Sequence, residues 1–539
     1  MNYDYLTRVV LFFVVLFLTI SIQAQTAVLD TINPINLDEI VINASKNNLK
    51  IKELPAAVSV IHNTVIEHES VVKMSDLTSL SPNFYMPDYG SKLTSPIYIR
   101  GIGSRINAPS VGLYVDHVPY FEKSAFQFDF FDIEKVEILR GPQGTLYGRN
   151  TMGGIINILT LSPDKYQGTK FKSSIGNYGQ YGFNAGYYKR INQQWSTSVS
   201  GNFVHNDGFF TNEFSDSTVD KTDSYGLRHR LKFKPSKRFD IENIAAFENS
   251  TQGGYPYAVY DTATKTTSPV NYDRYSSYDR TLFSDALHLN YSTDHWKLSN
   301  TASFQLLNDE QNIDQDFSPE NLYYITQFQD QKTVSNELLV QSVNSGRYSW
   351  LLGVFGFNQA FDNKVNVNLY THDMEYLKTF DKSIRGAAVF HQSTLKVTDK
   401  FSVVAGIRYD YEQSELHYLY EGAMAGVTLP PQDTIYPHLK EGVLLPKIAL
   451  NYQRDHMSVY ASYSSGYKPG GFNTTFERPE HLTFNNELSN SYELGLKATI
   501  FKDKLSTEFS IFYNYLKNQQ IYNTVPSGHG SYLSNAGKS

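Results

Sequence analysis

Few side chains in this sequence are arranged for catalysis or metal binding. Cysteine is absent from all 539 residues, which excludes disulfides, thiolate metal sites and cysteine nucleophiles. Histidines such as His62, His68, His229 and His391 are scattered, without the close spacing that metal ligation requires. No nucleophile, histidine and acid form a recognisable catalytic set. We therefore expect a protein that is not an enzyme, with no metal site and no cofactor.

Five glycines and two arginines form the most distinctive chemical cluster. The glycines at positions 141, 144, 148, 153 and 154 predict tight turns or close backbone contacts. A phosphate-binding loop is the competing interpretation, but the segment has no GxGxxG or Walker pattern and no amphipathic helix after it. Arg100 and Arg140 each end a β-branched run directly before a glycine. We expect both arginines at strand ends; the alternative is a solvated surface position.

Charge and composition limit the class of protein. The net charge of −7, from 47 basic and 54 acidic residues, comes without the basic stripe of a nucleic-acid-binding protein. A hydrophobic fraction of 41% and a mean hydropathy of −0.38 exclude a bundle of apolar membrane helices. They allow a membrane β-barrel, in which only alternate residues are apolar. The 40 tyrosines and 34 phenylalanines suit its aromatic girdles.

The N-terminus has the pattern of an export signal. Arg8 precedes the apolar run Val9–Ile22, and a small residue, Ala24, follows it; this order is typical of a cleaved signal peptide. A membrane anchor is the alternative, but fourteen apolar residues fall short of the roughly 20 that span a bilayer. We predict a signal peptide over residues 1–24, cleaved after Ala24, and a polar lead over residues 25–50.

The region 51–163 has the pattern of a compact α+β domain. Its β-branched runs are separated by Gly, Pro and Asn. One helix is predicted over Val71–Leu80, with Ser70 as its cap and Ser81-Pro82 as its end. The predicted strands are Ala57–Ile61, Ile97–Arg100, Val111–Val115, Lys135–Leu139 and Ile155–Leu159.

Residues 164–539 show two-residue alternation, which places one set of side chains on each face of a strand. Clear examples begin at Phe401, Tyr492 and Leu505. Many runs reach ten residues or more, longer than the strands of a soluble sandwich and suited to a tilted membrane strand. We predict about fifteen such strands in an antiparallel barrel.

Long polar inserts interrupt the alternation. We predict extracellular loops over Gly253–Arg280, Asn308–Asp330 and Tyr418–Glu441, because such barrels have longer loops on that side. Aromatic-rich loops could form a ligand-binding surface. The candidate ligand-binding residues are Tyr255, Tyr257, Tyr260, Tyr272, Tyr275 and Tyr278.

Several segments, in order along the chain, resemble those of TonB-dependent outer-membrane receptors. In the N-terminal region these are Ile97–Gly101, Val111–Asp116, Ile133–Gly148 and Gly153–Asn157, which are similar to the family's plug domain. The barrel segments that resemble the family are Ser465–Asn473, Tyr492–Lys497 and Asn535–Gly537. The resemblance implies a plug at residues 51–163 inside the lumen of a transmembrane barrel at 164–539. It also implies a place in the outer membrane of a Gram-negative bacterium.

The resemblance assigns roles to particular residues. Arg100 and Arg140 match plug arginines that pair with barrel glutamates, and Glu493 matches the first of these glutamates. The second would follow Asn535-Ala536-Gly537, so we expect it to be missing. A patch before the plug resembles the TonB box, which would pair as a strand with the TonB protein; its alternative is the first strand of the plug. The patch is Asp38, Glu39, Ile40, Val41 and Ile42.

The resemblance further implies active import of a scarce, large ligand, a ferric siderophore above all. Cobalamin, another metal complex or an oligosaccharide are open alternatives. A passive porin or an adhesin-like barrel is the rival from a different class, although neither needs a plug or a box. Because family barrels have about 22 strands and this chain ends without a terminal aromatic residue, we also expect the sequence to be incomplete at its C-terminus.

Overall fold

The computed structural model describes residues 41–47, 49–105, 108–343, 346–501, 504–527 and 530–539. The predicted signal peptide, and Asp38, Glu39 and Ile40 of the predicted box, lie outside the described residues. In the ranges above, no helix is both long and apolar enough to cross a membrane.

The N-terminal domain is built on a five-stranded sheet in the order β3 (Ala57–His62), β9 (Ile133–Arg140), β10 (Gly154–Thr160), β7 (Val111–Val115) and β8 (Val118–Tyr120). Strand β9 lies between β3 and β10 and is antiparallel to both, whereas β10 and β7 are parallel. The strands are β1 (Val41–Ile42), β2 (Leu49–Lys50), β3 (Ala57–His62), β4 (Phe84–Tyr85), β5 (Tyr98–Ile99), β6 (Ile102–Gly103), β7 (Val111–Val115), β8 (Val118–Tyr120), β9 (Ile133–Arg140) and β10 (Gly154–Thr160).

The helices of this domain are short. They are α1 (Asn63–His68), α2 (Gly144–Tyr147) and the 3-10 helices Asn43–Ser45, Ile51–Glu53, Met74–Ser79 and Lys123–Ala125. The predicted helix Val71–Leu80 is therefore wrong in type and start. The Asp76 carboxylate accepts the backbone N–H groups of Val72 and Lys73 at 2.9 and 3.1 Å. These bonds stabilise a tight turn, so the helix begins only at Met74.

The remainder of the chain is one large antiparallel sheet. Fifteen strands follow one another in sequence order, and the short strand Val427–Thr428 pairs beside them. The fifteen are β11 (Gly168–Ile175), β12 (Tyr181–Arg190), β13 (Trp195–Asn206), β14 (Thr222–Phe233), β15 (Phe239–Gly254), β16 (Ser276–Ser292), β17 (Trp296–Asp314), β18 (Tyr323–Ser342), β19 (Tyr348–Leu369), β20 (Met374–Lys396), β21 (Phe401–Met424), β22 (Gln432–Arg454), β23 (Met457–Lys468), β24 (Glu487–Ile500) and β25 (Leu505–Lys517). Among the described residues, the edge strands β11 and β25 do not pair with each other.

Short elements occur in the connections. Two-residue strands pair in three connections: Thr211–Asn212 with Ser217–Thr218, Tyr260–Asp261 with Thr266–Thr267, and Gly471–Phe472 with Thr483–Phe484. The strand Gln520–Thr524 pairs with Ser531–Asn535. Two 3-10 helices cover Tyr370–His372 and Pro479–His481.

Two of the three predicted long loops are largely strand. Strand β17 runs for 19 residues and β21 for 24, or about 60 Å and more at 3.3 Å per residue. That exceeds the roughly 30 Å hydrocarbon core, so the strand ends extend into water, where polar side chains are favoured. Asn308 lies opposite Asp330 in the strand ladder. Only Gly253–Arg280 contains a long connection, between Gly254 and Ser276.

The sheet surrounds the N-terminal domain, which is therefore a plug. The plug's apolar core joins residues of its sheet, such as Leu113 and Ile138, to Leu282 and Leu307 on the inner face of the barrel wall. Alternate residues of each barrel strand face outward; Leu444 is 57% exposed while its neighbour Leu445 is fully buried. An apolar outer face and a plug-facing inner face are the arrangement that a lipid environment requires.

Candidate functional site

Two arginines of the plug form ion pairs with the barrel wall. Arg100 Nη1 donates to Glu493 Oε2 at 2.7 Å, and Arg140 Nη2 donates to Glu508 Oε1 at 2.8 Å. Glu493 also accepts the backbone N–H of Ala57 at 3.1 Å. The structure thus brings together all three residues that the sequence singled out, and β24 and β25 supply the carboxylates.

Glu508 is the residue that sequence reasoning missed. The second glutamate was expected after Asn535-Ala536-Gly537 and therefore missing; instead, Arg140 is paired with Glu508 of β25. Glu508 is a different residue from that glutamate, and it was not foreseen as a partner of Arg140. The sequence did contain a signal for this partner. Glu508 belongs to the alternating run that begins at Leu505, and this run forms β25, beside the strand that contains Glu493.

One glycine of the cluster creates the space for Arg100. Gly141 has a φ of +89°, and a Cβ at this position would lie 2.8 Å from Arg100 Nη1. A larger residue would therefore displace the guanidinium from Glu493. Gly144, in α2, would similarly place a Cβ 2.5 Å from the backbone oxygen of Ser465 in β23. Close backbone approach, as predicted, is thus found between plug and barrel at Gly144 and within the plug at Gly153 and Gly154.

A second set of ion pairs joins the plug to β14, which lies towards the other end of the sheet. Alternate inward residues of β14 bind plug aspartates: Arg228 pairs with Asp132, and Arg230 pairs with Asp116 at 3.1 Å. Burial alone would raise the pKa of Asp116, but the two arginines and hydrogen bonds from Thr160 outweigh it and lower the pKa to about 2. This seam, here called the aspartate ladder, was not recognised in the sequence, because none of its pairs is local.

The ladder continues towards the C-terminal end of β14. Lys232 lies 3.2 Å from Asp164, and Lys234 also pairs with Asp164. Burial would raise the pKa of Asp164, but the two lysines lower it to about 2. The plug is thus held by buried or half-buried charge pairs on two flanks, β14 and β24–β25.

The first described residues are attached to the plug sheet. Val41 and Ile42, the last two residues of the predicted box, form β1 and pair with β2; Ile42 is fully buried. Asn43 and Ala44 donate their backbone N–H groups to the carboxylate of Glu137 at 3.0 and 2.7 Å. The predicted extended tail therefore does not include residues 41 and 42, which are hydrogen-bonded to the plug.

This attachment extends to a second plug residue and to the barrel. Lys135 Nζ donates to the backbone oxygen of Val41 at 2.7 Å. Lys46 Nζ pairs with Glu337 of β18 at 2.6 Å. Displacement of the residues around Lys46 would therefore act directly on β9, the strand that carries Lys135, and on the barrel wall.

The six candidate tyrosines do not form one surface. Tyr255, Tyr272 and Tyr278 are at most 2% exposed, and their hydroxyls bond to Gln311, to Gly254 and to Asp309 respectively. For these three, the ligand-contact prediction is corrected: Tyr255 and Tyr272 bond the connection between β15 and β16 to the barrel strands, and Tyr278 lies in β16 and bonds to β17. The other three are at least 37% exposed. They are Tyr257, Tyr260 and Tyr275.

A cavity of about 450 Å³, here called the outer cavity, lies between plug and barrel. None of the six tyrosines lines it. Five cationic side chains, three carboxylates and several aromatic rings do. The cations are Arg105, Lys123, Arg149, Lys382 and Lys440; the carboxylates are Glu122, Glu412 and Glu441; the rings are Phe361, Phe472 and Phe484.

A smaller cavity of about 190 Å³, here called the inner cavity, is lined by the plug and by barrel strands that include β17 and β18. Its lining is mostly polar and includes His117 of the plug and His288 of β16, whose rings are 6.1 Å apart. Burial lowers the pKa of His117. Lys46 and Glu337 also line the inner cavity. In the described part of the chain, no cluster of His, Asp and Glu is arranged to hold a metal ion.

Family models match both parts of the chain. The model described as TonB dependent receptor-like, beta-barrel matches residues 238–539, and the TonB-dependent Receptor Plug Domain matches residues 50–155. The pesticin receptor of Yersinia enterocolitica is 26% identical over 523 residues, which are 92% of this chain and 72% of that protein.

Solved structures show the same fold. The ferric yersiniabactin uptake receptor of Yersinia pestis superimposes with a TM-score of 0.78 at 23% identity, over 90% of this chain and 74% of that one. A siderophore receptor of Acinetobacter baumannii gives a TM-score of 0.75 at 16% identity, over 93% and 78% of the two chains. At these identities the likeness concerns the fold.

Proposed function

Because this chain belongs to the TonB-dependent receptor family, we propose that it imports a ferric siderophore, using energy delivered by the TonB protein. It is a β-barrel protein of the Gram-negative outer membrane. In this proposal the protein is a transporter and not an enzyme. The outer cavity binds the ferric chelate, and the N-terminal segment transmits the force.

The lining of the outer cavity is the observation that carries the choice of ligand. With five cations against three carboxylates, the cavity favours an anionic ligand, because opposite charges attract strongly where water is partly excluded. Aromatic side chains offer flat apolar surfaces for rings. A ferric complex with phenolate or carboxylate donors combines both properties. Cobalamin and neutral oligosaccharides would gain less binding energy from such a lining.

Lys123 is the most specific element of this lining. It is 6% exposed, and its Nζ lies 3.4 Å from the backbone oxygen of Ser104. Burial lowers the pKa of Lys123 to about 7, and the nearby Lys468 adds to the effect. An anion in the cavity would stabilise the charged form of Lys123. Binding of an anionic chelate should therefore be accompanied by proton uptake.

The N-terminal segment supports the role of TonB. Residues 38–40 of the predicted TonB box directly precede the anchored residues, and in this proposal they pair with a sheet edge of the TonB protein through backbone hydrogen bonds. Pulling there would load the Val41–Lys135 contact first and then the contacts of Asn43 with Glu137 and of Lys46 with Glu337, because they follow one another along the chain. A passive pore or an adhesin has no evident need for such an attachment.

A binding measurement tests the proposed ligand class. Lys123→Met and Lys382→Met should weaken binding of an anionic ferric triscatecholate, with little effect on a neutral ferric hydroxamate. Lys265→Met is the matched control, because Lys265 is exposed in the 255–275 connection and outside the cavity lining. Equal effects of all three substitutions, or tighter binding of the hydroxamate by the wild type, would contradict the proposal.

A further inference from the structure

The two cavities lie on the same barrel strands at different depths. On β18, the outer cavity contacts Gln327 and Gln329, and the inner cavity contacts Glu337, Leu339 and Gln341. Both cavities also touch β17. Eight residues separate Gln329 from Glu337, or about 26 Å along an extended strand. The inward residues between them, such as Thr333, are buried against the plug.

Aromatic and cation–π contacts form the barrier between the cavities. Phe121 follows β8, and its ring centroid is 5.1 Å from that of Phe357 in β19. The Arg149 guanidinium lies over both rings, at 5.0 and 4.9 Å from their centroids. Arg149 also donates to Gln359 at 3.1 Å. Such contacts depend weakly on exact geometry and can be exchanged for contacts with a passing ligand.

Two buried polar atoms at this barrier have no hydrogen-bond partner. They are Arg149 Nε and Gln331 Oε1 among the described protein atoms, and both residues are 6% exposed. Buried polar atoms are normally bonded to protein or to ordered water. Arg149 also lines the outer cavity. Water or a ligand group that enters from the outer cavity would satisfy these atoms.

The flanking walls are held differently. On one side the aspartate ladder joins plug to β14, and on the other Arg100 and Arg140 join it to β24 and β25. Breaking a buried charge pair leaves an uncompensated charge, which opposes movement. The wall formed by β17, β18 and β19 lies between these flanks in the sheet order. This wall has a charge pair of its own, Lys46–Glu337 on β18 at 2.6 Å, and Arg149 at the barrier lies 3.8 Å from Glu412 on β21, so movement of the plug there requires release of Lys46.

The N-terminal segment closes the inner end of this wall. Asn43 and Lys46 line the inner cavity, and the Lys46–Glu337 pair joins them to β18. A force applied before residue 41 first reaches Val41, Asn43 and Ala44, which are bonded to Lys135 and Glu137 of β9, and then Lys46. Their withdrawal removes part of the lining of the inner cavity without requiring the sheet to unfold.

We infer that the ligand crosses the plug along the β17–β19 wall, from the outer to the inner cavity, through a gate formed by Phe121, Arg149 and Phe357. The two flanks keep the plug in place while the gate residues separate. Charged groups line the route: Arg149 lies at the gate, and Lys46, Lys297, Glu242 and Glu337 line the inner cavity. The route rests on the proposed import function.

Reversible cross-linking tests the gate in the intact receptor, because the chain has no cysteine of its own. Phe121→Cys with Phe357→Cys, joined by a short bifunctional thiol reagent, should abolish uptake of a ferric siderophore while leaving surface binding unchanged. A reductant that cleaves the link should restore uptake. The matched control is Asp129→Cys with Asn202→Cys, whose side chains are 3.4 Å apart on the ladder flank.

The control cross-link should leave uptake at the level of its unlinked form. Normal uptake through the linked gate would overturn the route. A complete block by the control link would overturn it too, because it would mean that the whole plug must leave the barrel. Uptake by the wild type in the same assay reports separately on the proposed function.

A second measurement requires no siderophore. Ser299, in the inner cavity, is replaced by cysteine and labelled from outside with a membrane-impermeant maleimide. Phe121→Ala should accelerate the labelling several-fold. Phe128→Ala should not, because Phe128 is buried in the plug core and away from the gate. Equal acceleration by both variants would indicate general loosening of the plug and would contradict a gate at Phe121.

Discussion

Replacing Glu493 with alanine should release the plug from β24 locally. The substitution removes the acceptor for Arg100 and for the backbone N–H of Ala57. The side chains of Arg100 and Glu493 are 1% and 6% exposed, so the two form a buried ion pair. Loss of one partner in such a pair costs about 3–5 kcal/mol. Since each 1.4 kcal/mol is tenfold, local opening should become roughly a hundred- to several-thousand-fold more frequent.

Glu508→Ala provides the internal comparison. The side chains of Arg140 and Glu508 are 10% and 21% exposed, so water can replace part of the lost interaction. We expect a cost of about 1–2 kcal/mol, between the values for exposed and buried pairs. Glu421→Ala, at an exposed position of β21, should have no effect on the plug.

Hydrogen exchange of the purified receptor measures both effects at known amides. The N–H of Ala57 bonds to Glu493 and the N–H of Val58 bonds to Glu508, so each variant should accelerate exchange of its own amide most. Exchange rates report local opening free energies directly when reclosing is fast. Equal acceleration of amide exchange in the two variants would refute the difference in burial between the two ion pairs. Unchanged exchange at Ala57 in Glu493→Ala would refute Glu493 as the partner of that amide.

Three further predictions concern other parts of the chain. N-terminal sequencing of receptor from the outer membrane should begin near Gln25, and an intact Met1 would contradict cleavage after Ala24. Ile40→Pro should abolish energised uptake without changing ligand binding, because proline cannot donate to a pairing strand; normal uptake would exclude the patch as the TonB box. If Lys123 must be charged to bind an anion, affinity should fall as the pH rises through about 7, by about tenfold between pH 6 and pH 8. Lys123→Met should bind weakly at both pH values, and an unchanged pH profile in that variant would remove Lys123 from the mechanism.

The general architecture could be predicted because it rests on local signals. Two-residue alternation identifies a strand wherever it occurs, and the fifteen strands predicted beyond the plug correspond to the fifteen that follow one another in the sheet. Arg100 and Glu493 could be paired only through the resemblance to the family, since 393 positions separate them. Polar strand ends resemble loops in sequence, because the same solvent surrounds both.

Long-range placement limited the prediction of the site. The aspartate ladder joins β14 to three separate aspartates, Asp116, Asp132 and Asp164, and no spacing in the sequence indicates such pairs. Tyr255, Tyr272 and Tyr278 belong to a tyrosine-rich stretch, but composition does not distinguish a buried ring from an exposed one. The outer cavity is lined from both the plug and distant barrel strands. Residues such as Lys123 and Lys382 become neighbours only when the plug is inside the barrel.

Uptake of radioactive iron by cells that carry this receptor as their only siderophore receptor tests the central claim most directly. Iron should accumulate from an anionic ferric siderophore, and a protonophore or loss of the TonB protein should stop accumulation while surface binding persists. Accumulation that continues without the proton-motive force would indicate a passive pore. Failure to bind or accumulate any ferric chelate would contradict the account.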